Sequence, residues 1–153
     1  MKNILFKITE FDNSKHREQV IDLWKKIFSY DAAYNAPGVA IDKKLQNKDG
    51  LFYVAKKNQK IIGTVMAGYD GHRGWIYSVA VNPDYQRQGI GTALLSHAQA
   101  RLEKLGCLKI NLQIMKGNEA VQKFYSANGY SVEQRISMGK KLWQTELNER
   151  KTV

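Results

Sequence analysis

The sequence predicts an α/β fold: a mixed, mostly antiparallel sheet of six to seven strands, with its fourth and fifth strands parallel and about four helices on both faces. Three observations predict it. Residues 51–81 carry three strand-like apolar runs joined by short turns, the signature of an antiparallel meander. Apolar residues recur at helical spacing on both sides of that region. The strand-like run at 107–115 follows a helix, so it pairs in parallel with the strand before that helix.

Each element has its own reason. Leu5 to Ile8 reads as a short opening strand, and Ser14 as the cap of a helix in which Val20, Ile21, Trp24, Ile27 and Phe28 share a face. The stretch SYDAAYNAPG (29–38) is a loop, and Pro37 opens a short helix carrying Ile41 and Leu45. LFYVA (51–55), IIGTVMAGY (61–69) and WIYSVAV (75–81) are the meander, turned by KKNQK and DGHRG. Leu94, Leu95, Ala98, Leu102 and Leu105 then line one face of a helix that Gly106 ends. CLKINLQIM (107–115) is the fifth strand, 119–127 a helix stopped by Gly129, and YSVEQRISMGKKLW (130–143) one or two last strands.

The bulk numbers narrow the functional classes. At 153 residues the chain reads as a single domain, 1–153, with a full-sized core. The lone cysteine, Cys107, precludes an internal disulfide and reads as core packing. Neither a signal peptide nor a run of roughly 20 apolar residues is present, so a cytoplasmic protein without membrane contact is expected. A net charge of +10 favours anionic partners, but the Lys/Arg residues come as dispersed pairs such as Lys25-Lys26 and Lys140-Lys141. With no basic helix or RNA-binding aromatic motif, a nucleic-acid partner is not expected.

The stretch NPDYQRQGIGTALL (82–95) places two glycines between a strand end and a helix start. Free amides at a helix N-terminus bind anions, and Gly-X-Gly lets a phosphate approach them. A tight turn with packing glycines explains the same residues equally well. The dinucleotide pattern is absent, because Leu94 stands where its third glycine belongs, and so is the Gly-Lys-Ser/Thr of a P-loop.

The run Gln86-Arg87-Gln88-Gly89-Ile90-Gly91 resembles the Gln/Arg-x-x-Gly-x-Gly/Ala signature of the GNAT superfamily of N-acetyltransferases. NEAVQKFYSANGY (118–130) resembles that family's second signature, and the order of elements is the family's order over nearly the whole chain. The turn GYDGHRG (68–74) is similar to that of a small bacterial branch of the family. The resemblance implies acetyl-CoA as co-substrate and no metal. Its pyrophosphate would meet the amides of Arg87, Gln88, Gly89, Gly91 and Thr92 beside Gln86. Its pantetheine arm would run along Val79, Ala80 and Val81, where the fourth and fifth strands splay. Arg87, Lys116 and Lys123 are expected near the phosphates, and Asn118 either bonds the cofactor arm or caps its helix.

Acetyl transfer to an amine needs alignment, a deprotonated amine, a stabilised oxyanion and a proton for the departing thiolate. The resemblance assigns the last role to Tyr125, which its spacing alone would read as a core aromatic beside Phe124. An amide near Val79 to Val81 would meet the oxyanion. Where many relatives carry Glu or His as a base, this chain has Trp75 and Tyr77. Strict alternation puts Trp75, Tyr77, Val79 and Val81 on one face, so an aromatic acceptor wall without a base is expected there. The polar candidates for acceptor contact are Tyr69, Asp70, His72 and Arg73 in the turn, with Asp70 or His72 as proton relay, and Tyr30 and Asp31 in the first loop. The acceptor is then a small-molecule or peptide amine, and the protein a monomer or homodimer. A non-catalytic acyl-CoA-binding module is the alternative.

Overall fold

The computed structural model of the chain describes residues 5–29 and 32–143. Its strands are β1 (Lys7–Glu10), β2 (Phe52–Lys57), β3 (Lys60–Tyr69), β4 (Arg73–Val81) and β5 (Lys109–Asn111). They form one sheet in the order β1-β2-β3-β4-β5. All pairings are antiparallel except β4 with β5, which is parallel. The helices are α1 (Asn13–Ile27), α2 (Pro37–Gln46), α3 (Ile90–Lys104) and α4 (Glu119–Ala127).

Local chemistry sets these bounds. Asp12, not Ser14, caps α1: its carboxylate accepts from the amides of Ser14 (2.9 Å) and Lys15 (3.3 Å) and from the Ser14 hydroxyl (2.6 Å). A charged acceptor suits the positive end of a helix dipole better than a hydroxyl. Pro37 occupies the first turn of α2, where its missing N–H costs nothing.

The sheet has an apolar layer on each side. On one side Leu94, Leu95, Ala98 and Leu102 of α3 pack on Ile62, Val65, Ala67 and Ile76, with Tyr125 of α4 in the same core. Leu105, expected on that face, lies just beyond α3 and is 42% exposed. On the other side Val20, Leu23 and Trp24 of α1 pack on Phe52, Val54, Met66 and Ala80. The α3 layer is tight: a Cβ at Gly63 would sit 2.9 Å from Leu94 Cδ1 and 3.0 Å from the Ala80 carbonyl. Leu94→Ala is therefore expected to leave an unfilled hole and cost about 2–5 kcal/mol in denaturant unfolding.

Two departures from the sequence reading matter. Residues 130–143, expected to form the last strands, contain no strand. The alternation of Val132, Ile136 and Met138 is strand-like, but these side chains are exposed. Glu133 and Ser137 instead meet the side chains of Lys109, Asn111 and Gln113, so polar side chains rather than a backbone ladder tie this segment to the chain around β5.

The second departure is a β-bulge. Thr64 pairs with Ala80 but Met66 pairs with Tyr77, so β4 spends one residue more than β3 across this step. Ser78 takes the left-handed conformation (φ 48°), and its carbonyl accepts from the Thr64 hydroxyl at 2.9 Å. The same hydroxyl oxygen accepts from Trp24 Nε1 at 2.8 Å, which anchors the bulge to α1.

Candidate active site

β4 is nine residues long, but only Arg73, Gly74 and Trp75 pair with β5. From Ile76 to Val81 its outer edge has no partner strand among the described residues, which is the splay the resemblance implied. A strand edge freed in this way can hydrogen-bond an extended ligand as an added strand would.

The bulge decides what each half of β4 faces. Ile76, Val79 and Val81 belong to the α3 layer, whereas Met66, the partner of Tyr77, and Ala80 belong to the α1 layer. The expected single stripe is thus broken at Ser78. Trp75 and Tyr77 lie on the α1 face, and Val79 and Val81 on the opposite one. Strict period-two counting fails because the bulge shifts the phase by one residue.

The far end of β4 leads into the glycine loop. Asn82 is buried and accepts from the Asp84 amide at 2.9 Å, while its own amide donates to the Ile62 carbonyl at 2.8 Å. Gln86 reaches back to donate to the Val81 carbonyl at 3.0 Å. Arg87 (φ 61°) and Gly89 (φ 82°) are both left-handed, and with them the chain turns into α3. The first α3 bond runs from the Ala93 amide to the Gly89 carbonyl at 3.0 Å. The amides of Ile90, Gly91 and Thr92 have no acceptor among the described residues.

The two glycines have different reasons. A Cβ at Gly89 would meet nothing within 4 Å, so its glycine serves the left-handed turn and leaves open space above the amides. A Cβ at Gly91 would lie 3.2 Å from the ring of Phe124, so Gly91 lets α4 close against α3. This open, exposed loop has the geometry of an anion cradle, and acetyl-CoA fits it by that criterion.

Tyr125 is 8% exposed, between Phe124 (5.0 Å between rings) and Tyr130 (5.7 Å). Burial, with a smaller contribution from Tyr130, pushes its phenol up to about 12. Asn118 caps α4, its side-chain oxygen accepting from the Val121 amide at 3.3 Å.

The turn residues separate. The Asp70 carboxylate accepts from the amides of His72 (2.8 Å) and Arg73 (2.7 Å), and those bonds hold it below the usual carboxylate range. Asp70 thereby builds the turn. The Tyr69 hydroxyl donates to the Gly71 carbonyl at 2.9 Å, and its ring packs on the α3 layer, away from Trp75 and Tyr77. His72 is exposed. Tyr30 and Asp31 lie outside the described residues. Arg73 and Trp75 instead line a groove of ≈ 1390 Å³ that also takes in Asn111 and Tyr125. No residue of the 86–92 loop is among the groove's walls. Asn111 was not singled out in the sequence, where only the polar alternation of Lys109, Asn111 and Gln113 marks it.

Comparison with known proteins agrees with this architecture. A model described as the acetyltransferase (GNAT) family matches residues 17–130. An acetyltransferase of Yersinia pestis (strain Pestoides F) is 39% identical over 125 residues, covering 82% of this chain and 88% of its own. An acetyltransferase of Yersinia pseudotuberculosis serotype I matches equally well. Among solved structures, the PaiA N-acetyltransferase of Thermoplasma acidophilum in complex with coenzyme A superposes with a TM-score of 0.73 at 19% identity, over 86% of this chain and 93% of that one. The aminoglycoside acetyltransferase AAC(6')-Iy with a bisubstrate analogue gives 0.72 at 18% identity, over 90% and 98%. The chain belongs to the GNAT acetyltransferase family and is an acyl-CoA-dependent N-acetyltransferase.

Proposed function

We propose that the protein transfers the acetyl group of acetyl-CoA to a primary amine by direct attack in a ternary complex. One observation carries this reading: β4 leaves β5 after Trp75, and its free edge runs into the unpaired amides at the start of α3. Acetyl-CoA supplies the activated thioester. The amides from Arg87 to Thr92, with Gln86 and Gln88 beside them, would grip its diphosphate, and the edge of Val79, Ala80 and Val81 would hold its arm.

The bulge gives the acetyl oxygen a donor. The extra residue in β4 interrupts the ladder near Ser78 and Val79, where the side-chain alternation shifts, and an amide freed there would point at the acetyl oxygen. A fixed amide aimed at developing negative charge lowers the barrier without reorganisation. Tyr125 holds its proton firmly. Full transfer from a phenol at about 12 to a thiolate near 8.5 is uphill by roughly 5 kcal/mol, so Tyr125 acts as a hydrogen-bond donor to the departing sulfur. Asn118 fixes the first turn of α4 and thereby the position of Tyr125.

The acceptor approaches across Trp75 and Tyr77, on the face opposite Val79. Asp70, committed to two amides, is a poor proton acceptor for an ammonium near 10.4. The test is a thiol-release screen over amines, amino acids, polyamines, aminoglycosides and peptides. Release of free CoA that depends on one acceptor class is the expected result. Saturable CoA binding without release across the whole panel would leave only an acyl-CoA-binding role.

A further inference from the structure

Two buried side-chain atoms lack a hydrogen-bond partner among the described residues, Arg73 Nε and Asn111 Oδ1. A donor or acceptor left unmet in this way costs about 1–3 kcal/mol, so each needs an explanation. Both residues line the same groove, on either side of Trp75. Arg73 and Trp75 are same-face neighbours on β4, and Asn111 is the partner of Trp75 across the β4–β5 ladder.

The surroundings fix what each atom can do. Asn111 Nδ2 donates to the Glu133 carboxylate at 2.6 Å. A carboxylate only accepts, so the amide cannot be turned over and its oxygen faces away from Glu133, in need of a donor. Arg73 makes no salt bridge among the described residues. Its backbone is held by Asp70, which accepts from the Arg73 amide as the turn enters β4. The groove thus presents, beside an indole, a guanidinium with no ion-pair partner among the described residues, whose Nε is shielded from water together with the Asn111 oxygen.

We propose that this pair is the specificity site for the acceptor, and that it selects an amine carrying an anionic oxygen, carboxylate or phosphate, remote from the reacting nitrogen. The inference rests on the transferase reading above. The Arg73 guanidinium takes the anionic oxygen, Trp75 packs against the chain that leads from it to the amine, and Asn111 supports the groove wall across from Trp75. The distance follows from the strand: Arg73 and Ser78 are five residues apart, about 16 Å between Cα atoms, so the acidic group and the reacting nitrogen cannot be adjacent. A guanidinium also accounts for the acceptor class that a chain of net charge +10 admits, since a wholly cationic acceptor is repelled.

The experiment compares matched amines under saturating acetyl-CoA: 8-aminooctanoate against octylamine, 8-aminooctyl phosphate against octylamine, and glycine against methylamine. The long acidic amine is expected to exceed octylamine at least tenfold in kcat/KM, with whichever acid is preferred identifying the anion, and glycine to show no such advantage. Arg73→Met should bring the long-chain ratio to within about twofold of unity, and Asn111→Leu should lower it. Should Arg73→Met fail to fold, Arg73→Lys, which keeps the charge but loses Nε, should still reduce it. Acetylation of octylamine and 8-aminooctanoate at equal efficiency overturns the proposal and leaves the transferase standing. If nothing is acetylated, NMR of the CoA-loaded protein decides. A shift of the Arg73 Hε resonance by 8-aminooctanoate and not by octylamine keeps the subsite, and no shift sinks it; the transfer reading is decided separately by the wider amine panel.

Discussion

Gly89→Val is expected to raise the dissociation constant for acetyl-CoA by about 100-fold or more while the protein stays folded. The residue sits at φ 82° with nothing within 4 Å of where a Cβ would project. Two effects follow, and they differ in size. A left-handed conformation costs an L-residue about 1–2 kcal/mol, which in a domain of this length lowers Tm by roughly 2–8 °C. The side chain also fills the space above the free amides of Ile90, Gly91 and Thr92. Hydrogen bonds to a charged group are worth about 1.5–3 kcal/mol each, so losing two removes most of the grip on a diphosphate. Thermal melting checks the first effect and calorimetric titration the second. Unaltered affinity in a folded variant would mean that the diphosphate lies elsewhere. Gly91→Val is the poorer probe, because the ring of Phe124 at 3.2 Å makes any loss ambiguous between packing and ligand.

Tyr125→Phe is expected to lower kcat by about 10–100-fold with the KM for acetyl-CoA within about threefold of wild type. The substitution keeps the ring between Phe124 and Tyr130 and removes only the hydroxyl, a hydrogen bond to developing charge. The pH profile separates this role from simple packing. A phenol raised to about 12 keeps its proton well past neutrality, so the wild-type rate should show no alkaline fall due to Tyr125 below pH 10. An alkaline limb near pH 9 that vanishes in the variant would show that the phenol titrates far lower. Unchanged kcat would assign Tyr125 to the core alone.

Much of this was legible in the sequence, and the exceptions have physical causes. The meander, the glycine loop and the α4 boundaries at 119–127 follow from local rules: period, turn residues and caps. The face assignments of β4 were not legible, because one left-handed serine shifts the phase and nothing in WIYSVAV announces it. The strand expected at 130–143 had the right alternation, but a strand also needs a neighbour's backbone, and β5 is three residues long. Asn111 escaped notice because a lone polar residue in a strand is unremarkable until its oxygen is found buried without a donor.

The bulge at Ser78 has an evolutionary corollary. By shifting the side-chain alternation of β4 midway, it puts the odd-numbered positions before and after it on opposite faces of the sheet, so the two stretches can mutate independently. If the proposed assignment holds, changes at Arg73, Trp75 or Tyr77 would retune the choice of amine while Val79 and Val81 would keep the acyl donor's seat intact. A laboratory selection for new acceptors should therefore accumulate substitutions before Ser78 and spare those after it.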